Sequence, residues 1–149
     1  MTRVGIIGTS WWADAMYLPA LRNLDGVDVV AALGRDAGRA QTFADRWEIG
    51  AWFTDADAFF DTPMDAVIVA SANDSHHPLT MHALARGLDV LCEKPLGLTV
   101  DEAYEMQAAA VAAHAVTLVP FTYRYMPVNQ WLKRLIDDGY LGDPYHLGL

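Results

Sequence analysis

The first stretch of the sequence that could do chemistry is a glycine-containing turn near residue 8. The pattern G-x-G-x-x-G/A, which joins a strand to a helix in dinucleotide-binding βαβ units, falls on Gly8, Ser10 and Ala13. A pyrophosphate carries two negative charges, so backbone N–H groups and the dipole of a helix N-terminus stabilise it. Ser10 replaces the middle glycine; it has less backbone freedom but can offer a hydroxyl to a phosphate oxygen. Taken alone, the stretch fits either a dinucleotide site or an ordinary strand-to-helix turn.

A second group, Gly34-Arg35-Asp36, follows the next apolar run, where a dinucleotide-binding fold reads the adenosine ribose. An acidic residue at the strand end favours NAD, whereas an arginine beside a small residue can pair with the 2′-phosphate of NADP. Gly34 followed by Arg35 therefore favours NADP over NAD. Asp36 can contact a ribose and permit NAD use, but it is better placed to cap the following helix. An ordinary exposed arginine in a turn remains the alternative for Arg35.

The polar loop S-A-N-D-S-H-H, residues 71–77, is a third candidate. Its asparagine amide and an imidazole can hydrogen-bond a cofactor, and Asn73 or Asp74 can equally cap the next helix. Adjacent histidines point in different directions, and no cysteine or third histidine lies at ligand spacing. A metal site is therefore not expected.

The fourth candidate is Glu93-Lys94-Pro95, directly after the run Val90-Leu91-Cys92. A lysine held at the end of a strand in a partly desolvated cleft can exchange a proton with a substrate hydroxyl. From the local sequence alone, a solvated Glu/Lys pair is the favoured alternative. Trp11 and Trp12 either pack in the core or form a wall of the cofactor cleft, and the sequence does not separate these roles.

These candidates need elements that bring them together, and the hydrophobic pattern predicts an alternation of strands and helices. The predicted strands are Arg3–Ile7, Val27–Leu33, Ala51–Phe53, Ala66–Ala70, Asp89–Cys92 and Val116–Val119. The predicted helices are Trp12–Leu24, Gly38–Trp47, Asp55–Phe60, Pro78–Arg86, Val100–Ala113 and Val128–Asp137. Near-continuous Val, Ile and Leu in the strands indicates a sheet covered on both faces, so we predict a doubly wound parallel α/β sheet. Ligands bind such sheets at the carboxyl ends of the strands, and all four candidate groups follow strands.

Local signals at the helix ends support this division of the chain. Thr99 followed by Glu102 predicts a capping box for the fifth helix, and Asp74 or Ser75 is placed to cap the fourth. Gly87 and Gly139 are placed to end the fourth and sixth helices.

Composition narrows the function classes. The 149 residues are 53% hydrophobic with a net charge of −9, which predicts one folded domain with a core rather than disorder. No cluster of Lys or Arg is present, which argues against nucleic-acid and anionic-membrane partners. The single cysteine, Cys92, excludes an internal disulfide, ends an apolar run and is expected to be buried. With no signal-peptide pattern and no apolar run of about 18 residues, a cytoplasmic protein is expected.

Together the motifs resemble the glucose–fructose oxidoreductase / inositol dehydrogenase / rhizopine-catabolism (Gfo/Idh/MocA) oxidoreductase family. The stretches that carry the resemblance are V-G-I-I-G-T-S-W-W-A at 4–13, N-D-S-H-H-P-L at 73–79, A-L-A-R-G-L-D-V-L-C-E-K-P at 83–95, F-T-Y-R-Y-M-P at 121–127 and L-I-D-D-G-Y-L-G-D-P at 135–144. The resemblance extends over the whole chain and makes a surface-pair role for Lys94 much less favoured.

The resemblance implies a Rossmann-type NAD(P)-binding domain and hydride transfer between a nicotinamide cofactor and a sugar, polyol or related secondary alcohol. It implies that Lys94 touches cofactor and substrate and assists proton transfer, that Glu93 lies on the nicotinamide-ribose side, and that Arg124 helps to close the pocket. The cofactor-binding residues expected on this basis are Gly8, Thr9, Ser10, Trp11, Trp12, Ala13, Gly34, Arg35, Ser71, Asn73, His76, Glu93, Lys94 and Arg124.

The sequence departs from this family at Ser10 and in its length. Family members continue into a second α/β domain, which implies a cofactor domain at 1–143 and the start of a substrate domain at 144–149. The resemblance implies that this second domain carries the substrate pocket, the acid/base histidine and the usual dimer surface, so a homo-oligomer is expected for the family and this chain alone is expected to be inactive. The alternative is a non-catalytic nucleotide-binding regulatory or interaction module.

Overall fold

A parallel β-sheet runs through the middle of the molecule. The computed structural model describes residues 1–143 and 145–146. The strands in this part of the chain are β1 (Thr2–Ile7), β2 (Val27–Leu33), β3 (Trp52–Phe53), β4 (Ala66–Val69), β5 (Asp89–Cys92) and β6 (Thr117–Leu118). Their order across the sheet is β3-β2-β1-β4-β5-β6, and all neighbouring pairs are parallel. The predicted doubly wound sheet is confirmed, and its strand order is that of a Rossmann fold.

Helices connect the strands. They are α1 (residues 11–22), α2 (Ala37–Trp47), α3 (Ala56–Phe60), α4 (His76–Leu84), α5 (Val100–Ala113) and α6 (Pro127–Asp137). Within α1, Ala13–Tyr17 is π-helical and Leu18–Arg22 is α-helical. Short 3₁₀ turns cover Asn73–Ser75 and Thr122–Tyr125. Helix α4 begins two residues before the predicted Pro78, because the N–H groups of a first helical turn need no helical partner and proline is tolerated there.

The two faces of the sheet are covered by separate groups of apolar side chains. Ile7, Val67 and Val69 lie in one group with Phe59 of α3, whereas Ile6 lies in the other. Successive side chains of a strand point to opposite faces, so Ile6 and Ile7 must enter different layers. Ile6 is 0% and Ile7 is 2% exposed, which explains why β1 has no polar alternation in sequence. Cys92 is buried as expected.

The helix caps agree only partly with the sequence signals. The Thr99 hydroxyl accepts from the Glu102 N–H at 3.1 Å, but the Glu102 carboxylate accepts from Leu98 N at 2.6 Å instead of reaching back to Thr99. The expected side-chain cap of α4 is wrong, since neither Asp74 nor Ser75 caps it. The Ser75 hydroxyl instead donates to the Ala72 carbonyl at 2.6 Å and stabilises the preceding turn.

Two glycines end helices as predicted. Gly87 and Gly139 have φ angles of 71° and 73°, the left-handed conformation typical of the position after a helix. The start of a substrate domain expected at 144–149 falls largely on residues 144 and 147–149, which lie outside the described residues.

Among residues 1–143 and 145–146, no three His, Cys, Asp or Glu side chains form a group that could hold a metal ion. Within the same ranges, every helix is too short or too polar to cross a membrane.

Candidate functional site

A cavity of about 430 Å³ opens at the carboxyl end of the sheet, where β1 and β4 lie side by side. From this pair the chain continues to β2 on one side and to β5 on the other, so the cavity lies at the topological switch point, where open α/β sheets bind ligands. Loops after β1, β2 and β4 line it, and they include the predicted site residues Gly8, Thr9, Ser10, Gly34, Arg35 and Ser71.

The turn after β1 is closely packed against the loop after β4. Gly8 has a φ angle of 109°, and its N–H donates to the Leu33 carbonyl at 2.8 Å. A Cβ at Gly8 would lie 2.3 Å from the Ala70 carbonyl oxygen, so no side chain fits there. Ala13, at the third position of the motif, is 0% exposed and packs in the core, which is the role of a small residue at that position.

Two arginines lie at the end of the cavity formed by the loop after β2. Arg35 and Arg39 both line it. A Cβ at Gly34 would lie 2.9 Å from the Thr9 side chain, so position 34 has little room for an aspartate or glutamate that could bind the adenosine ribose. Asp36 caps α2 as expected, because its Oδ1 accepts from Arg39 N at 2.8 Å. Arg39 was not anticipated; its only sequence signal is a position four residues after Arg35, on the first turn of a helix.

The loop after β4 contributes its hydroxyls rather than its histidines. Ser71 lines the cavity, and its Oγ lies 2.6 Å from Ser75 Oγ. Asn73 is exposed and lies outside the lining residues.

His76 lies in a different place from the one expected. It is 0% exposed and does not line the cavity. Its Nδ1 lies 2.7 Å from the Pro95 carbonyl and its Nε2 lies 3.2 Å from the Ser71 carbonyl. The imidazole therefore connects the loop after β4 with the loop after β5.

Glu93, at the end of β5, is a buried carboxyl group with three hydrogen-bond donors. It is 5% exposed; its Oε1 accepts from Trp12 Nε1 and from the Tyr17 hydroxyl, each at 2.6 Å, and its Oε2 accepts from Lys94 N at 3.0 Å. Burial, and then the hydrogen bond to Glu93, raise the pKa of Tyr17, so its hydroxyl stays protonated and donates. Tyr17 was missed because no sequence pattern places it beside Glu93.

The side chains of the remaining predicted residues neither line the cavity nor bond to Glu93, although the Lys94 backbone N–H does bond to it. The Lys94 side chain is exposed, directly after β5, and the Lys94–Pro95 peptide is cis. Trp11 is 71% exposed. Arg124 borders a separate depression beside α6, with Tyr123, Asn129, Gln130 and Lys133, and the structure does not bring it to the cavity.

A larger cavity of about 880 Å³ lies between α4, α5, β5 and β6. Most of its lining is apolar, and none of the predicted site residues contributes to it. The smaller cavity is therefore the candidate site, because it combines a phosphate-type turn, hydroxyls and two arginines.

The model of the GFO_IDH_MocA family, an oxidoreductase family with an NAD-binding Rossmann fold, matches residues 2–121. This chain belongs to that family. The resemblance drawn from the sequence motifs is thus confirmed, and the GFO_IDH_MocA fold accounts for the sheet order and for the position of the cavity at the switch point.

Relatives of known name are longer proteins. A 1,5-anhydro-D-fructose reductase of Ensifer adhaerens is 33% identical over 145 residues, covering 97% of this chain and 43% of the reductase. The chain thus spans less than half the length of this GFO_IDH_MocA relative.

Solved structures agree with the fold. An oxidoreductase from Agrobacterium radiobacter, in complex with NAD⁺, L-tartaric acid and magnesium, superposes with a TM-score of 0.90 at 26% identity, covering 97% of this chain and 42% of that one. KijD10, a 3-ketoreductase from Actinomadura kijaniata in complex with NADP and TDP-benzene, has a TM-score of 0.85 at 29% identity, covering 93% of this chain and 42% of that one. One of these two structural neighbours therefore contains NAD⁺ and the other contains NADP.

Proposed function

We propose that this chain binds NADP in preference to NAD in the 430 Å³ cavity and serves an oxidoreductase acting on a sugar, polyol or related secondary alcohol, or on the matching carbonyl. The observation that carries the proposal is the meeting of three loops at the switch point, with the Gly8 turn near the start of α1 and two arginines after β2.

The residues present fit a dinucleotide. The absence of a side chain at Gly8 lets the turn pack directly against the Ala70 carbonyl, and residues 8–10 of this turn line the cavity, where backbone N–H groups can face a pyrophosphate. The unpaired N–H groups of the first turn of α1 favour a phosphate at that point. The hydroxyls of Thr9, Ser10 and Ser71 add hydrogen-bond donors along the same cavity.

The preference for NADP rests on charge. Arg35 and Arg39 place two guanidinium groups on the lining, and guanidinium pairs with phosphate through parallel hydrogen bonds. The nearby acidic residue, Asp36, already uses one carboxylate oxygen to cap α2, so it is less available to accept a hydrogen bond from a ribose hydroxyl.

In the proposed reaction, Lys94 is the catalytic residue. It follows β5, the neighbour of β4 in the sheet, so it stands next to the switch point on the side away from the arginines. A bound nicotinamide dinucleotide supplies or accepts the hydride at the substrate carbon. The Lys94 amine takes the hydroxyl proton in oxidation and returns a proton to the carbonyl oxygen in reduction. The sugar substrate named for the 1,5-anhydro-D-fructose reductase relative supports this substrate class.

Two further assignments belong to the proposal. Residues 1–143 form the cofactor domain and residues 144–149 begin a substrate domain, which the 43% coverage of the reductase supports. His76 holds two site loops together through its contacts with the Pro95 and Ser71 carbonyls rather than touching the cofactor.

Titration of the chain with NADPH and NADH, followed by nicotinamide fluorescence, tests the proposal. We expect tighter binding of NADPH, and we expect Arg35→Ala to weaken NADPH by about tenfold or more with little effect on NADH, because a charged hydrogen bond to the 2′-phosphate is lost. Arg134→Ala is the matched control, since Arg134 is exposed on α6 and does not line the cavity.

Two results would change the conclusion. Tighter binding of NADH, or an equal effect of Arg35→Ala on both nucleotides, would overturn the NADP assignment. Failure to bind either nucleotide would overturn the cofactor domain and favour a non-catalytic interaction module.

A further inference from the structure

We propose that Tyr17 is a positioning residue: together with Trp12 it holds the Glu93 carboxyl group, and through that group the backbone of Lys94, at the carboxyl end of β5. The inference rests on the proposed function, because it concerns how Lys94 is presented to a bound dinucleotide. It adds a residue that no motif of the sequence indicates.

The π-helical turn of α1 is what brings the two donors together. Trp12 and Tyr17 are five residues apart, and at the ~100° per residue of an α-helix they would lie roughly 140° apart around the axis. In a π-helix the repeat is i to i+5, and here the Leu18 N–H bonds to the Ala13 carbonyl with that spacing. Residues five apart then lie on one side of the helix, which lets Trp12 Nε1 and the Tyr17 hydroxyl meet the same Glu93 oxygen at 2.6 Å each.

The Glu93 carboxyl group depends on these donors. It is 5% exposed, so water cannot replace a lost partner easily, and a buried carboxyl group without hydrogen bonds is costly. No lysine, arginine or histidine of the described residues forms a salt bridge with it. Neutral donors therefore hold Glu93 in place within this part of the chain.

The second oxygen carries the positioning to Lys94. Glu93 Oε2 accepts from the Lys94 N–H at 3.0 Å, so the side chain of Glu93 fixes the peptide plane that precedes the lysine. The adjoining segment is held from the other side by His76, whose Nδ1 lies 2.7 Å from the Pro95 carbonyl. A shift of the Glu93 side chain would therefore move the Lys94 backbone N–H, while Pro95 stays held by His76.

The test removes single donors. Tyr17→Phe deletes only the hydroxyl, and Trp12→Phe deletes the indole N–H as a second variant should the first fold poorly. Tyr104→Phe is the matched control, because Tyr104 is 65% exposed on α5, outside the network. The first readout is hydrogen exchange of the Lys94 amide in the nucleotide-free chain. The second is the affinity for NADPH compared with that for 2′,5′-ADP, which lacks the nicotinamide half.

We expect Tyr17→Phe to speed exchange of the Lys94 amide by about tenfold, because Glu93, which accepts from that amide, loses one of the hydrogen bonds that hold it in place. NADPH should bind several-fold more weakly, whereas 2′,5′-ADP should bind unchanged because the contacts proposed for it lie at Arg35 and Gly8, away from Glu93. A purely structural role would weaken both ligands alike.

Each outcome has a distinct meaning. Unchanged exchange at Lys94 in both donor variants, or an equal loss for NADPH and 2′,5′-ADP, overturns the positioning role and leaves the proposed function intact. Faster exchange at Lys94 in a chain that binds no nucleotide supports the positioning of the backbone and overturns the proposed function.

Discussion

At the scale of single residues, Gly8 meets two constraints that no other residue type meets without strain. Its φ angle of 109° lies in the region that residues with a side chain rarely adopt. A Cβ at this position would lie 2.3 Å from the Ala70 carbonyl oxygen, which is too close. The turn that borders the cavity therefore depends on glycine for its backbone shape as well as for space.

We expect Gly8→Ala to destabilise the chain by about 1–3 kcal/mol, because the added Cβ forces the turn and the loop after β4 apart. Urea denaturation measures the change. Gly50→Ala is the control: a Cβ there meets no atom within 4 Å, and a change within about 0.5 kcal/mol is expected. Equal stability of the two variants would contradict the close approach at Gly8.

The sequence predicted those site residues whose role is set by position along the chain. Gly8, Ser10 and Arg35 follow strand ends, and the structure places all three on the lining of the candidate cavity. Tyr17 and Arg39 could not, because their roles depend on where a helix turn points them. Trp12 and Glu93 were both expected at the cofactor, yet only the structure shows that they bond to each other.

At the scale of elements, the amino ends of β1 and β4 are joined by a pair of charged residues far along the strands from the cavity. Asp65 accepts from Arg3 N at 2.8 Å, from Arg3 Nε at 3.2 Å and from Arg3 Nη2 at 2.7 Å. Hydrogen bonds from the Arg3 side chain, followed by that from its backbone, lower the pKa of Asp65 to about 2. The pair therefore joins the residue that precedes β4 to the start of β1.

Asp65→Asn should make stability less dependent on pH in the acid range. A carboxyl group with a lowered folded-state pKa stabilises fully above its ordinary value of 3.8 and loses that effect as pH falls toward about 2. At pH 6 the variant should melt roughly 1–3 °C below the native chain, since the pair is solvent-exposed.

The pH series gives the decisive comparison. The difference in melting temperature between the native chain and Asp65→Asn should shrink as pH falls from 4 to 2. Asp25→Asn, an exposed position outside the hydrogen-bonded pairs of the described residues, should show no such trend. A constant difference across the series would contradict the lowered pKa of Asp65.

Elements were predictable where the pattern of burial was regular. Strands β2 and β5 and helix α5 have the predicted bounds, because continuous apolar runs and a capping threonine mark them. Helix α1 was predicted as one regular helix over Trp12–Leu24, but it contains a π-helical turn and ends at Arg22. A π-helical turn is less favourable than a regular α-helical turn, and tertiary contacts offset the difference, here the hydrogen bonds of Trp12 and Tyr17 to Glu93. Because these contacts are distant in sequence, the local sequence carried no signal for the turn.

At the scale of the whole molecule, the protein carries a net charge of −9, yet its candidate site presents two arginines. The net charge therefore disfavours an anionic ligand, whereas the two arginines attract one at the candidate site. The alternation of strands and helices predicted the sheet, and the candidate cavity lies at the carboxyl end of the strands, where such a sheet is expected to bind ligands. The second, larger cavity had no sequence signal, because its lining is apolar and reads as ordinary core.

Ligand binding to the native state should raise the melting temperature of the chain, and the stabilisation grows with the logarithm of the ratio of ligand concentration to Kd. At an NADPH concentration 100 times its Kd, the stabilisation is about 2.7 kcal/mol, which for a domain of this size raises Tm by roughly 5–10 °C. If Arg35→Ala weakens binding tenfold, the same concentration is only about ten times Kd, and the shift should fall to about half. Arg134→Ala should keep the full shift. An undiminished shift in Arg35→Ala would place the nucleotide away from the arginines and point instead to the 880 Å³ cavity beneath α5.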